Sequence, residues 1–161
     1  MALGVGHPAV KYAIVERIRA YARGFPVLVH PGVRIHERVS IRQGSQIHEG
    51  TIATVDIDMG AFVTCNRRVD LSHDCVVGDY ATLAPAVTLT GDVQVGTGAD
   101  LGASVTCIPG VRIGEWSVVG AGAVVTCILP AHVTAIGVPA RVIKQADSRR
   151  ANNTNRLELA S

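Results

Sequence analysis

The sequence predicts an all-β solenoid, a parallel β-helix of hexapeptide repeats, and three observations predict it. From Val33 to Ile128 the chain of 161 residues divides into sixteen consecutive six-residue units without a break. The third position of every unit is apolar, from Ile35, Ile41 and Ile47 through Leu71, Leu83 and Leu89 to Val119 and Val125. The first position is small or β-branched throughout, and Gly or Asp often follows the third. A fixed short period is the mark of a solenoid, and a period of six the mark of a β-helix.

Each unit is too short for a helix, and its β-branched content favours a short strand. Alternation turns positions one and three inward and leaves polar residues outside. Three units close one triangular coil, so residues eighteen apart stack on neighbouring rungs, roughly 4.8 Å apart. Sixteen units then make about five coils.

The segment before the repeats, residues 1–31, breaks the period. ALGVG reads as a strand, and Pro8 opens a helix at its first turn. Over residues 9–22, Val10, Ile14, Ile18 and Tyr21 form an apolar stripe, and Gly24 ends the helix. FPVLVHP leads into the repeats, so this strand–helix–strand piece is expected to cover the open end of the prism. Residues 32–129 form the solenoid, and residues 130–145, containing VTAIGVPARVIK, are expected to run back along its outside. The polar stretch 146–161 is expected to be a mobile tail, and its Asn152-Asn153-Thr154 sequon a chance match.

Composition narrows the function. A net charge of +2 without a basic block gives no nucleic-acid footprint. There is no apolar run of membrane-spanning length and no signal-peptide pattern, so a cytoplasmic protein is expected. Cys65 and Cys107 fall on inward third positions and Cys75 on an inward first position, where cysteine serves as a small hydrophobe. Only Cys127 falls at a corner. Of the six histidines, His7, His30, His36, His48 and His132 are scattered, and their spacings do not stack as a metal site requires. No metal is expected.

His73 has different company. It sits at a corner just past the inward Leu71, with Asp74 beside it, and a carboxylate fixes a histidine's tautomer and raises its basicity. Gly91 lies eighteen residues on, one rung above in the same column, where an unshielded backbone N–H can meet a developing oxyanion. A base and an oxyanion donor on neighbouring rungs suit acyl transfer. The same residues read equally well as ordinary corner polars and a turn glycine.

The segment from Asn66 to Lys144 resembles the sialic-acid O-acetyltransferases and nucleotide-amino-sugar N-acetyltransferases of the NeuD and PglD type. The residues that carry the likeness are HDCVVGDY at 73–80, Leu83-Ala84-Pro85, and the late GAGAVVT and LPAHVTAIGVPARVIK. ALGVGHPAVKYAIVERI and FPVLVHP are similar to the end of that family's N-terminal sugar-nucleotide domain, which makes residues 1–31 its remnant. The resemblance implies a left-handed β-helix, a homotrimer, and acetyl-coenzyme A lying in a groove between neighbouring prisms. It makes His73 the general base, Asp74 its partner and the Gly91 amide the donor to the thioester oxygen. It places Thr82, Ala103 and Ala121 along the coenzyme, with Pro139, Arg141 and Lys144 in the segment flanking its nucleotide end. Asn66 matches an asparagine near the acceptor, a nucleotide-linked amino sugar or a sialic acid in surface-glycan biosynthesis.

Departures from the family pattern lie at Thr82, where the family often carries histidine, at Arg67-Arg68 in place of a small pair, and at Cys127-Ile128 in place of a charged pair. No glycine-rich phosphate turn occurs in residues 1–31; it is expected to precede Met1, or the acceptor is held differently. Two other readings stand beside the sugar acetyltransferase: O-acetylation of another small acceptor such as serine, and a non-catalytic trimeric scaffold.

Overall fold

Short strands, most of two residues, recur every six residues in the computed structural model, which describes residues 1–145. They stack in parallel with a register of eighteen: Thr64 pairs with Thr82 and Thr82 with Asp100, while Leu71 pairs with Leu89 and Leu89 with Cys107. The result is the left-handed parallel β-helix. Its first wall has eight strands, beginning with Leu28–Val29 and including Thr64–Cys65 and Thr82–Leu83. The second wall has six, from Arg34–Ile35 to Val124–Val125, and the third has five, from Val39–Ile41 to Arg112–Ile113. The 146–161 stretch, with its expected mobile tail and its sequon, lies outside the described residues.

The inward positions build a single core column. From Ile47 to Val125 every third-position side chain is buried, and Cys65, Cys75 and Cys107 are buried free thiols within it. Polar residues at inward first positions are tolerated because each is bonded. Ser45 Oγ donates to the Gly60 carbonyl at 2.9 Å and accepts from the Val63 amide at 3.0 Å, and Ser117 does the same between Pro130 and Val133. The pattern fails at the first coil. Ile35 is 42% exposed, and Val33, Val39 and Ile41 are only half-buried, because among the described residues no strand lies beneath theirs.

The N-terminal segment is elsewhere than expected. Residues 2–6 form no strand, and the helix is Pro8–Ile18, with Pro8 in its first turn and His7 as N-cap. Rather than covering the open end, the segment lies on the outer face of the first wall. Gln46 donates to the Leu3 carbonyl, and Lys11 reaches Phe62, Thr64 and Ala81 across the rungs. The buried helix residues are Pro8, Lys11 and Val15, while Val10 and Tyr21 of the expected apolar stripe are exposed.

Lys11 explains the difference. It is 1% exposed, and its Nζ donates to the Phe62 carbonyl at 2.9 Å, Thr64 Oγ1 at 3.1 Å and the Ala81 carbonyl at 3.2 Å. An ammonium has three donors, and here all three have acceptors. Burial nevertheless pushes its pKa down to about 8.

An aromatic ladder completes the attachment. Phe62 stacks on Tyr80 with ring centroids 5.2 Å apart, on the edge between the third and first walls. Tyr12 from the helix meets Tyr80 and Trp116 edge-on at 5.3 and 5.8 Å, and Phe25 meets Phe62 at 5.0 Å. The Trp116 ring occupies the place a Cβ on Gly98 would take, so the column needs glycine at that rung.

At the upper end, Val133–Ile136 adds a parallel rung to the first wall over Val118–Val119, and Arg141–Gln145 folds back antiparallel onto it. Residues 130–145 therefore extend the wall instead of running down its outside. Val133, Ala135 and Ala140 are buried beneath this hairpin, whose Val138–Pro139 peptide is cis.

Lys11→Ala is expected to lower stability by roughly 2–4 kcal/mol, since the Phe62 and Ala81 carbonyls lose their ammonium; urea denaturation reads this. The folded pKa of about 8 lies below the model-compound 10.5. Between these values the unfolded chain holds more protons, so wild-type stability relative to Lys11→Ala should rise with pH across that window.

Candidate active site at the prism edges

A corner of the solenoid takes three residues, and the middle one turns its amide outward while the third adopts positive φ. On the edge between the second and third walls these are Ser72-His73-Asp74, with Thr90-Gly91-Asp92 one rung above. Asp74 and Asp92 have φ of 60° and 56°, which aspartate tolerates better than most residues. The rungs are tied by the Asp92 amide, which donates to the His73 carbonyl at 2.9 Å.

His73 Nδ1 lies 2.8 Å from Asp74 Oδ2. An ionised carboxylate only accepts, so Nδ1 carries the proton and donates it, and Nε2 is left with its lone pair outward. The ring leans onto the upper rung: a Cβ on Gly91 would overlap its Cε1 and Nε2 atoms. Glycine is thus required here by the imidazole. The Gly91 amide donates to no backbone acceptor among the described residues. The imidazole and an N–H without a backbone partner therefore stand side by side, the glycine buried beneath the ring in the single chain. Both dyad side chains are open in the single chain, with His73 62% and Asp74 58% exposed.

The other predicted residues are not gathered at this edge. Asn66, Ala103 and Ala121 lie on the edge between the first and second walls, one wall away. Asn66 Oδ1 accepts from the Arg67 amide at 2.8 Å, and a groove beside it is lined by Glu49, Gly50, Arg67, Arg68 and Pro85. Higher on that edge, the Ala103 and Ala121 amides donate to no backbone acceptor among the described residues. Ile136 of the hairpin packs over Gly120 and pairs with Arg141, which puts Pro139 and Arg141 above the same column. Lys144 pairs with Thr134, further back along the wall, and is exposed like Arg141. Thr82 is on the outer face of the first wall, only 8% exposed beneath the N-terminal segment, with its hydroxyl donated to the Gly6 carbonyl. Threonine here holds the segment in place.

Asp92 was findable. Arg38, Asp56, Asp74 and Asp92 recur every eighteen residues on the dyad's edge, but aspartate at a corner reads first as a turn former. In this column Arg38 pairs with Asp56 and Asp74 with His73; Asp92 makes no ion pair or side-chain hydrogen bond among the described residues. Among those residues no three His, Cys, Asp or Glu side chains are grouped to hold a metal.

No protein-family model and no curated protein matches the sequence. Solved structures do. PerB from Caulobacter crescentus, in complex with CoA and GDP-perosamine, is 32% identical with a TM-score of 0.86, over 89% of this chain and 69% of that one. The chain belongs to the hexapeptide-repeat sugar N-acetyltransferases. WeeI from Acinetobacter baumannii is 29% identical, and the acetyltransferase domain of PglB from Neisseria gonorrhoeae 25%; each has a TM-score of 0.85 over 88% of this chain and 69% of that one. Members of this family are acyltransferases that use acetyl-coenzyme A, and so is this one. The small Ala103 and Ala121, whose amides have no backbone partner among the described residues, and the exposed cations at the upper end of the same edge fit a phosphate-bearing thioester.

Gly91→Ala should push the imidazole off the upper rung and away from Asp74. The His73 ring resonances in NMR spectra are expected to shift, whereas Ala103→Gly, on the other edge, leaves them unmoved.

Proposed function

We propose that this enzyme acetylates a sugar carried on a nucleotide, by direct attack of the acceptor on acetyl-coenzyme A with His73 as general base. The observation that supports this is the His73 ring, held by Asp74 against Gly91. Nε2 takes a proton from the acceptor's nucleophile as the new bond to the acetyl carbon forms. The Gly91 amide donates to the thioester oxygen as it becomes negative. The carbon–sulfur bond then breaks, and the protonated imidazole returns its proton to the departing thiolate. Asp74 keeps Nδ1 protonated and offsets the charge of the imidazolium.

The acceptor class rests on the relatives: PerB binds GDP-perosamine, and Arg67 and Arg68 give this chain two cations suited to a diphosphate. We infer a homotrimer, because the dyad edge and the Ala103–Ala121 edge belong to different corners of one prism. Packing one copy's dyad edge against the next copy's alanine edge makes a closed groove and removes the dyad from water. In it the coenzyme runs from Gly91 past Ala103 and Ala121 toward Pro139 and Arg141. Asn66 of one copy comes to the dyad of the next in the same arrangement. The co-substrates support a cytoplasmic reaction, and the family likeness supports a role in surface-glycan assembly.

His73→Ala should lower turnover by roughly 10² to 10⁴ while the oligomer persists in light scattering. Undiminished acetyl transfer by that variant would remove His73 from the reaction.

A further inference from the structure

We propose that the lower part of the edge between the first and second walls is a nucleoside-diphosphate site for the acceptor. Arg67 and Arg68 take the diphosphate, Glu49 the ribose hydroxyls, and the groove at His30 and His48 the base. This assignment rests on the groove between copies proposed above. There the coenzyme fills the edge above Asn66 and the reacting sugar sits at the rung of Asn66, which leaves the rest of the acceptor the edge below.

Three corners make up that lower edge. Asn66-Arg67-Arg68 stands over His48-Glu49-Gly50, and that over His30-Pro31-Gly32, with roughly 4.8 Å from rung to rung. Side chains here lean downward: Arg68 Cγ lies 3.1 Å from the place of a Cβ on Gly50, and Glu49 Cγ 3.6 Å from that on Gly32. The two glycines thus let the side chains of the rung above lie along the edge. One groove is lined by Glu49, Gly50, Arg67, Arg68 and Pro85, and another, on the first-wall side, includes Leu28, Val29, His30 and His48. They meet at the consecutive residues His48 and Glu49, and hold about 400 and 420 Å³, the size of small-molecule clefts.

The charges are separated along this path. Arg67, Arg68 and Glu49 make no ion pair among the described residues. Arg38, the other arginine at positive φ, pairs with Asp56; Arg68 has a φ of 59° and no such partner. Adjacent guanidiniums without a counter-charge suit a diphosphate, whose oxygens accept their paired N–H groups. The Glu49 carboxylate leans away from them; it only accepts and it repels phosphate, so it suits a ribose diol. Lower still, Leu28 and Val29 are each 43% exposed. His30 Nδ1 accepts from the Gly32 amide at 3.0 Å, so Nε2 carries the proton of the neutral ring. Apolar side chains beside two imidazoles and a ring N–H suit a nucleobase, with its flat face and edge acceptors. Partners for phosphate, hydroxyl and base follow one another in the order of a nucleotide.

The test titrates GDP, UDP and dTDP into the whole protein saturated with coenzyme A, which fills its own nucleotide site first. At least one is expected to bind once per chain. The double variant Arg67→Gln, Arg68→Asn, whose asparagine tolerates positive φ, should weaken that binding roughly tenfold or more, and inorganic pyrophosphate alike. Glu49→Gln should weaken the nucleotide severalfold and leave pyrophosphate unchanged. Binding of none of the three by the folded protein, or equal binding by the double variant, would overturn the inference. So would a Glu49→Gln effect equal on nucleotide and pyrophosphate. Acetyl transfer to a nucleotide-linked amino sugar with the same acceptor KM in the double variant would overturn this site alone. Arginine-dependent nucleotide binding without transfer to any such sugar would instead overturn the proposed function and leave the site standing.

Discussion

The rungs of this molecule are joined by backbone hydrogen bonds that leave no freedom of register. The Thr64 amide meets the Ala81 carbonyl and the Asp92 amide meets the His73 carbonyl, so each residue lies over the one eighteen before it. Slipping one residue would turn every inward Leu, Ile and Val out to water, at a cost of about 1.5–3 kcal/mol for each large side chain exposed. The register is therefore rigid, and side chains in one column keep fixed neighbours. His73 against Gly91 on the rung above, Trp116 over Gly98 and Arg38 with Asp56 are three results of one constraint. Catalytic geometry here depends on the core, because the core sets which residues share an edge.

The same regularity limits what one copy can do. A column of amides at the corners is generic to the solenoid, and becomes a candidate site only where small residues occupy it and a functional side chain stands beside it. That happens on two edges, separated by the second wall. The dyad edge carries His73, Asp74 and further acidic residues; the other carries alanines, arginines and the hairpin. Neither encloses a substrate, and His73 and Asp74 remain open to solvent in the single chain. In the homotrimer we propose, the two edges meet across copies and close a groove, in which electrostatic interactions are stronger for want of water.

Much of this is legible in the sequence because a β-helix is nearly one-dimensional. The sixteen units fix which residues point inward, and the interval of eighteen places His73 beneath Gly91 before any coordinates are seen. The buried thiols of Cys65, Cys75 and Cys107 follow from position alone. What the period does not reach is the attachment of residues 1–25. Lys11 reads as a solvent-facing cation on a helix, yet its three acceptors lie 51 to 70 residues away and come together only on the folded wall. Thr82 takes part in that attachment through Gly6, which no local pattern signals. The aromatic ladder is an intermediate case: Gly44, Phe62, Tyr80, Gly98 and Trp116 are spaced by eighteen, a visible alternation of rings and gaps. Asn66 shows the opposite limit, since its closeness to His73 in sequence does not bring it to the dyad's corner: it lies one wall away.

The central claim is that one site draws its base from one copy and its coenzyme edge from another. Subunit mixing tests it most directly. A His73→Ala chain and an Ala121→Arg chain, each inactive alone, would be unfolded together and refolded as mixed oligomers. If the edges come from different copies, about one quarter of the interfaces pair an intact base with an intact coenzyme edge, and acetyl transfer returns to about that fraction. If each site lay within a single chain, every site would keep one defect. The mixture would then stay as inactive as its parents.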